Sequence, residues 1–250
     1  MDVTVLGSCG AYPGAGRAAS GYLLEHDGFR LVLDFGTAAL PNLQKHAGIH
    51  AVDAVVISHS HADHWVDLYP LFIARFFHAH PIDPLPLFAA PRVFDHLSAL
   101  EDDEGVEQLN RIYQLTEVEP GQGFEVGPFR FTTRPMRHPV PTLGMRIESD
   151  GVVLAYSADT GPADELVEVA RGADVLVAEA SWLDGQDRIP DLHLTARQAG
   201  EHAARAGAGR LVLSHFWPTN AREPSLEQAA ETFHGEVLLA DEDLRFEVEA

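Results

Sequence analysis

Positions 58–65 of the chain read SHSHADHW. Three imidazoles (His59, His61 and His64) and one carboxylate (Asp63) follow the apolar run Ala54-Val55-Val56-Ile57. Imidazole and carboxylate are donors that suit divalent metal ions. On extended backbone leaving a strand, His59 and His61 at i and i+2 project to one side. Asp63 and His64 fall at the expected start of a helix, where an aspartate also satisfies free backbone N–H groups. The turn therefore sends two donors one way and two slightly aside, which suits two adjacent ions better than one. The competing reading is a set of exposed histidines beside a helix-capping Asp63.

Four local donors cannot complete two coordination spheres, so others are expected at later strand ends, the usual place for active sites in α/β sheets. His138 follows a strand through Phe131. Asp159, in Ser157-Ala158-Asp159-Thr160-Gly161, ends a strand ahead of a Gly-Pro helix start. His215 ends Val212-Leu213-Ser214. Another histidine, His193, lies just before Thr195, which with Gln198 has the spacing of a capping box and so puts His193 on an ordered turn. Read alone, His193 is a loop histidine and Glu179 a strand-end acid.

The elements that must position these groups alternate from end to end, which predicts an α/β fold. Strands are expected at 3–6, at 22–25 and 29–33 around the Asp27-Gly28 turn, and at 54–57, 129–133, 143–148, 152–157, 175–179, 211–214 and 236–240. Helices are expected at 38–46, 63–77, 93–100, 106–113, 162–171, 195–206 and 225–233. The acidic run 101–104 reads as a solvated separator. The proline-rich stretch 81–91 reads as loop with at most a short strand at 85–89. Both halves begin with hairpins and pass into βαβ order. This predicts one domain spanning 1–250, with half-domains of about 1–121 and 122–250 whose sheets face each other.

Composition narrows the chemistry further. The 250 residues carry 17 basic against 38 acidic side chains, net −21. That field opposes extended nucleic-acid binding, although bound metal ions would reverse it locally for a small anion. A single cysteine, Cys9, excludes an internal disulfide, fits a reducing cytoplasm and reads as a packed residue. No signal peptide or membrane span is expected.

The order HSHADH, His138, Asp159, His215 resembles that of the metallo-β-lactamase superfamily of binuclear metal hydrolases, over nearly the whole chain. The resemblance implies a four-layer αββα sandwich, two mixed sheets face to face with helices outside. It also implies His59, His61 and His138 on one metal, Asp63, His64 and His215 on the other, and Asp159 bridging. Zinc is the first expectation; manganese or iron fits the same spheres. Asp159 stands where common β-lactamases carry cysteine. His193 resembles the leaving-group acid of the ribonuclease Z-like branch, and Glu179 the carboxylate that orients it. Ala62 and Ala158 replace glycines of many relatives, tolerable where φ is negative.

Within that branch the chain looks most like short bacterial atypical cyclic-nucleotide phosphodiesterases, through Ser20-Gly21-Tyr22-Leu23-Leu24, the Asp159 segment and Glu179-Ala180-Ser181-Trp182. The resemblance implies a cyclic-nucleotide phosphodiesterase in which a metal-bridging hydroxide attacks phosphorus, Asp63 holds the water and His193 protonates the leaving group. A homodimer is implied as well. The alternatives are tRNA 3′ processing, opposed by charge and by the absence of a Gly/Pro-rich tRNA-gripping arm, a lactonase or thioesterase, and a metal-binding protein without turnover. Trp65, Phe76, Phe77, His78 and Trp217 are read first as packing residues and second as base-stacking candidates, with Arg137 or Arg146 for phosphate. The other histidines, His202 among them, are expected at the surface.

Overall fold

The computed structural model describes residues 1–80 and 82–249. Two seven-stranded mixed sheets run β14-β1-β2-β3-β4-β5-β6 and β13-β12-β11-β10-β9-β8-β7. The first sheet is built from β1 (Asp2–Gly7), β2 (Gly21–His26), β3 (Phe29–Phe35), β4 (Ala54–Ile57), β5 (Leu85–Ala89), β6 (Tyr113–Glu117) and β14 (Arg245–Glu247). The second holds β7 (Gly123–Val126), β8 (Phe129–Pro135), β9 (Leu143–Ser149), β10 (Val152–Tyr156), β11 (Val175–Glu179), β12 (Arg210–Ser214) and β13 (Glu236–Leu239). The helices are α1 (Ala39–His46), α2 (Leu68–Phe76), α3 (Val93–Ser98), α4 (Asp103–Ile112), α5 (Asp164–Ala170), α6 (Ala196–Ala206) and α7 (Glu223–Ala230).

Alternation along β11 shows how the layers stack. Val175 and Val177 join the core shared with the first sheet, among Val5, Leu33 and Ile147. Leu176 and Ala178 join a second core with Leu166 of α5 and Ala199 and Ala203 of α6. A strand buried on both faces reads as a continuous apolar run, as β11 does. This is the αββα sandwich. Among the described residues no helix is long and apolar enough to cross a membrane.

Several expected boundaries shift, each for a local reason. The helix expected over 63–77 splits into a 3₁₀ turn at Ala62–His64 and α2 from Leu68. Pro70 explains the break: in a helix begun at Asp63 it would meet the carbonyl four residues back, whereas in the first turn of α2 its missing N–H is harmless. Asp63 caps nothing and is free for the site. The acidic run 101–104 starts α4, with Asp102 accepting from Gly105 N at 3.0 Å and Asp103 and Glu104 in the first turn, where the helix dipole favours acids. Tyr113 leaves that helix for β6, a largely exposed edge strand with no apolar alternation to announce it. The short strand expected at 85–89 is β5; Pro81, within the stretch read as loop, lies outside the described residues. Finally, β14 returns to the first sheet and pairs antiparallel with β1.

Candidate metal centre

The site lies where strands end. β4 delivers His59 and His61, and the 3₁₀ turn after it delivers Asp63 and His64. The loop after β8 carries His138; β11 ends at Glu179, and the segments just past its parallel neighbours β10 and β12 carry Asp159 and His215. Two glycines permit the close approach of neighbouring backbone. A Cβ on Gly36 would lie 1.8 Å from Asp63 O, and one on Gly10 would lie 2.6 Å from the His215 ring.

All seven expected ligands come together in two adjoining groups. His59, His61, His138 and Asp159 form one, and Asp63, His64 and His215 the other, with donor atoms in each within 4.8 Å of one another. Asp159 faces both. Its Oδ2 lies 3.6 Å from His59 Nε2 and 3.8 Å from His138 Nε2, while its Oδ1 lies 3.2 Å from both His64 Nε2 and His215 Nε2. Asp63 Oδ2 is 3.3 Å from His215 Nε2 and 3.5 Å from His64 Nε2, and it accepts the Ala11 N–H at 2.7 Å.

Hydrogen bonds behind the rings decide which nitrogens face inward. Asp34, fully buried on β3, accepts from Ser58 N (2.7 Å), Ser58 Oγ (2.8 Å), Tyr156 OH (2.6 Å) and His64 Nδ1 (2.8 Å). Because the Ser58 hydroxyl donates to Asp34, it accepts from His59 Nδ1 at 3.0 Å. Likewise the Ser181 hydroxyl donates to Glu179 Oε2 at 2.7 Å and accepts from His215 Nδ1 at 2.9 Å. His59, His64 and His215 therefore all aim Nε2 at the centre, the arrangement that outer partners impose on metal-binding imidazoles.

The donor set fits metal ions. His59 Nε2 and Asp159 Oδ1 are buried and lack a hydrogen-bond partner among the described residues. Ring nitrogens of neighbouring histidines face each other at 3.0 Å (His138 Nε2, His61 Nδ1) and 3.3 Å (His64 Nε2, His215 Nε2). Tetrahedral ligands at about 2.0–2.1 Å from zinc stand ~3.3 Å apart. Charge agrees. Burial opposes ionising His64, but Asp159, Asp63 and Asp34 hold its pKa well above the ordinary histidine value. Burial would also raise Asp63 and Asp159, yet the surrounding imidazoles hold both well below the usual carboxylate range. The carboxylates call for a cation. Burial depresses His138 to about 4 and His59 well below normal, so both are neutral ligands-in-waiting.

Next to this centre, His193 Nδ1 lies 3.1 Å from Glu179 Oε1 and 3.9 Å from Asp159 Oδ2. Glu179 also accepts from Thr160 N at 2.5 Å and Leu194 N at 3.2 Å. Burial opposes a charge on His193, but Glu179 and then Asp159 outweigh it and raise the pKa to about 9. The expected capping box forms, with Thr195 accepting from Gln198 N and Gln198 returning the bond to Thr195 N.

The remaining candidates divide: Trp217 lines the site cavity, and the others lie elsewhere or are engaged by neighbours. Trp65 packs in the core, donating to Ser60 O and stacking on His96. Phe76, Phe77 and His78 lie at the exposed end of α2, outside the site cavity. Arg137 is paired with Asp191 and Arg146 with Glu148. His202 is buried rather than superficial, donating from Nδ1 to Gln198 O and accepting Ala163 N at Nε2. Ala158 has φ of 49°, in the left-handed region, so its replacement of glycine is strained rather than neutral. Ala11, Asp34 and His215 share that conformation around the site (φ of 63°, 52° and 53°). Asp34 and Ser181 escaped sequence reasoning; a lone acid inside the apolar strand Leu31-Val32-Leu33-Asp34-Phe35 was the available signal for Asp34.

Comparison with known proteins agrees with this geometry. Residues 30–216 match the family described as Beta-lactamase superfamily domain. The uncharacterized protein Rv1339 of Mycobacterium tuberculosis is 38% identical over 253 residues, covering 99% of this chain and 92% of its own. The probable metallo-hydrolase YhfI of Bacillus subtilis is 32% identical, covering 96% of this chain and 97% of its own. A crystal structure of YhfI matches with TM-score 0.89 over 98% of each chain, at 29% identity. Ribonuclease Z of Thermobifida fusca is 30% identical, covering 99% of this chain and 94% of its own.

Proposed function

The chain belongs to the β-lactamase superfamily, among relatives named metallo-hydrolase and ribonuclease Z, and from that premise we propose that it is a binuclear phosphodiesterase acting on a small phosphodiester, a cyclic nucleotide first. One observation carries the choice of reaction: a histidine whose Nδ1 lies 3.1 Å from the buried carboxylate of Glu179, beside the ligand clusters. An alkoxide is a poor leaving group unless a proton reaches it, and such a donor accelerates that step.

In this reading His59, His61, His138 and Asp159 would hold one metal, and Asp63, His64 and His215, with Asp159, would hold the other. Bound metals would supply an ionised water at neutral pH and Lewis-acid stabilisation of the phosphoryl oxygens. Asp63, fixed by the Ala11 N–H, orients the attacking water. Glu179 takes the His193 Nδ1 proton in a hydrogen bond, leaving Nε2–H for the departing oxygen. The Ser181 hydroxyl couples Glu179 to His215, so the acid and a ligand are placed by one network.

tRNA 3′ processing is the second reading, favoured by the ribonuclease Z relatives and opposed by a net charge of −21. A turnover panel on metal-loaded protein separates them: cyclic AMP, cyclic GMP, bis(p-nitrophenyl) phosphate, a pre-tRNA and a lactone. Cleavage of the small diesters is expected. A loaded protein that cleaves none of them overturns the proposal, and tight, salt-sensitive tRNA binding with 3′ cleavage installs the alternative.

A further inference from the structure

Beside the metal ligands opens a cavity of about 770 Å³, within the range of small-molecule sites. Part of its lining owes nothing to the ligand clusters. Trp182 and Trp217 stack there with centroids 4.9 Å apart and planes at 23°, and Tyr12 meets Trp217 edge-on at 5.8 Å. Arg188 is the only lysine or arginine in that lining. Its Nη1, and Nε1 of Trp182, are buried without a hydrogen-bond partner among the described residues. Arg137 and Arg146, by contrast, are neutralised by neighbouring acids.

Unpaired buried donors are costly unless something fills them. An aromatic platform lined with N–H donors is complementary to a flat heterocycle with acceptor nitrogens or oxygens on its edge. A sugar or an aliphatic ester offers no such face. Stacking on indole is tolerant of base identity, and a guanidinium beside it can bond ring acceptors or stack in turn.

We propose that Trp182, Trp217 and Arg188 form a nucleobase subsite, which makes the substrate a nucleotide rather than an aliphatic phosphodiester, with Arg188 as a specificity-determining residue. The proposal rests on the phosphodiesterase reading only in placing the phosphate at the ligand clusters. Trp182 and Trp217 lie at the subsite, while the third tryptophan of the chain, Trp65, is buried against His96. Base stacking should therefore quench intrinsic fluorescence without any turnover.

The test titrates the metal-loaded protein with AMP and with ribose 5-phosphate, following tryptophan emission. AMP is expected to quench and to bind at least ~10-fold tighter, the scale of a single base–aromatic stack. Trp217→Ala should erase most of that preference and Trp217→Phe should keep most of it, which separates lost stacking from a damaged fold. Arg188→Gln should raise KM for a cyclic nucleotide ~10-fold with little change in kcat, the loss expected when a buried hydrogen-bonding group loses its partner. Equal affinity for the two ligands, or a preference untouched by both Trp217→Ala and Arg188→Gln, overturns the subsite. AMP binding with quenching but no diester cleavage would sink the phosphodiesterase reading and leave the subsite standing. Diester cleavage without base preference would do the reverse.

Discussion

The metal cradle and the tryptophan wall face one cavity but are built differently. Cradle side chains leave rigid strand ends, and three of the histidines have a second, buried partner behind them: Asp34 behind His64, Ser58 behind His59, Ser181 behind His215. The wall comes from segment 182–192 and the turn after β12. Its donors end without partners, and Ile189 beside Arg188 is exposed. The cradle is thus preorganised by buried hydrogen bonds, whereas the wall can change its occupant without disturbing a cradle side chain.

If the difference is real, cradle substitutions should alter turnover or metal retention and wall substitutions should alter selection. The largest effect belongs to His193. Removing the acid in His193→Ala should lower kcat by ~10²–10⁴-fold with both metals retained, measured by steady-state kinetics beside metal analysis; full turnover would erase its assigned role. Asp34→Asn touches no substrate, yet it should weaken metal affinity ~10–100-fold, read by competition with a chromogenic chelator. Unchanged affinity would mean the buried bonds behind the rings are ornamental.

A subtler effect concerns pH. His193 rises from its ordinary value to about 9, so the folded state favours the protonated ring. Its contribution to stability is complete below pH ~6.5 and is lost as pH climbs through about 9. The melting temperature of metal-free protein should therefore fall over that window, and His193→Gln should flatten the fall. Ala158→Gly should have the smallest effect, relieving a left-handed alanine and stabilising the fold by about 1 kcal/mol, or ~2–4 °C in Tm for a chain of this size.

The cradle was legible because its signal is doubly redundant: unusual residue types at fixed spacing, each directly after an apolar run. His193 and Glu179 were legible through the resemblance and the Thr195 capping box. Asp34 was not, because one acid in a strand carries no spacing, and its meaning lies in contacts with Ser58, His64 and Tyr156 that only folding creates. The wall was half visible: Trp217 could be named as a second-choice stacking residue, but its partners Trp182 and Arg188 could not, for the same reason. Trp182 and Trp217 are 35 positions apart, and nothing local distinguishes Trp217 from the core-packed Trp65. Misplaced boundaries followed from reading apolar periodicity above Pro70, from taking acidity at 101–104 for solvation, and from the polar edge strand β6.

Asp34 on β3 of the first sheet holds Tyr156 on β10 of the second, and Tyr22 on β2 bonds Ser214 on β12 at 2.6 Å. The centre is therefore also a rivet between the two sheets. It has no private, low-energy way to open, because releasing it means parting the sandwich. The Ser58 amide, which donates to Asp34, should accordingly exchange its hydrogen only as fast as the whole molecule unfolds.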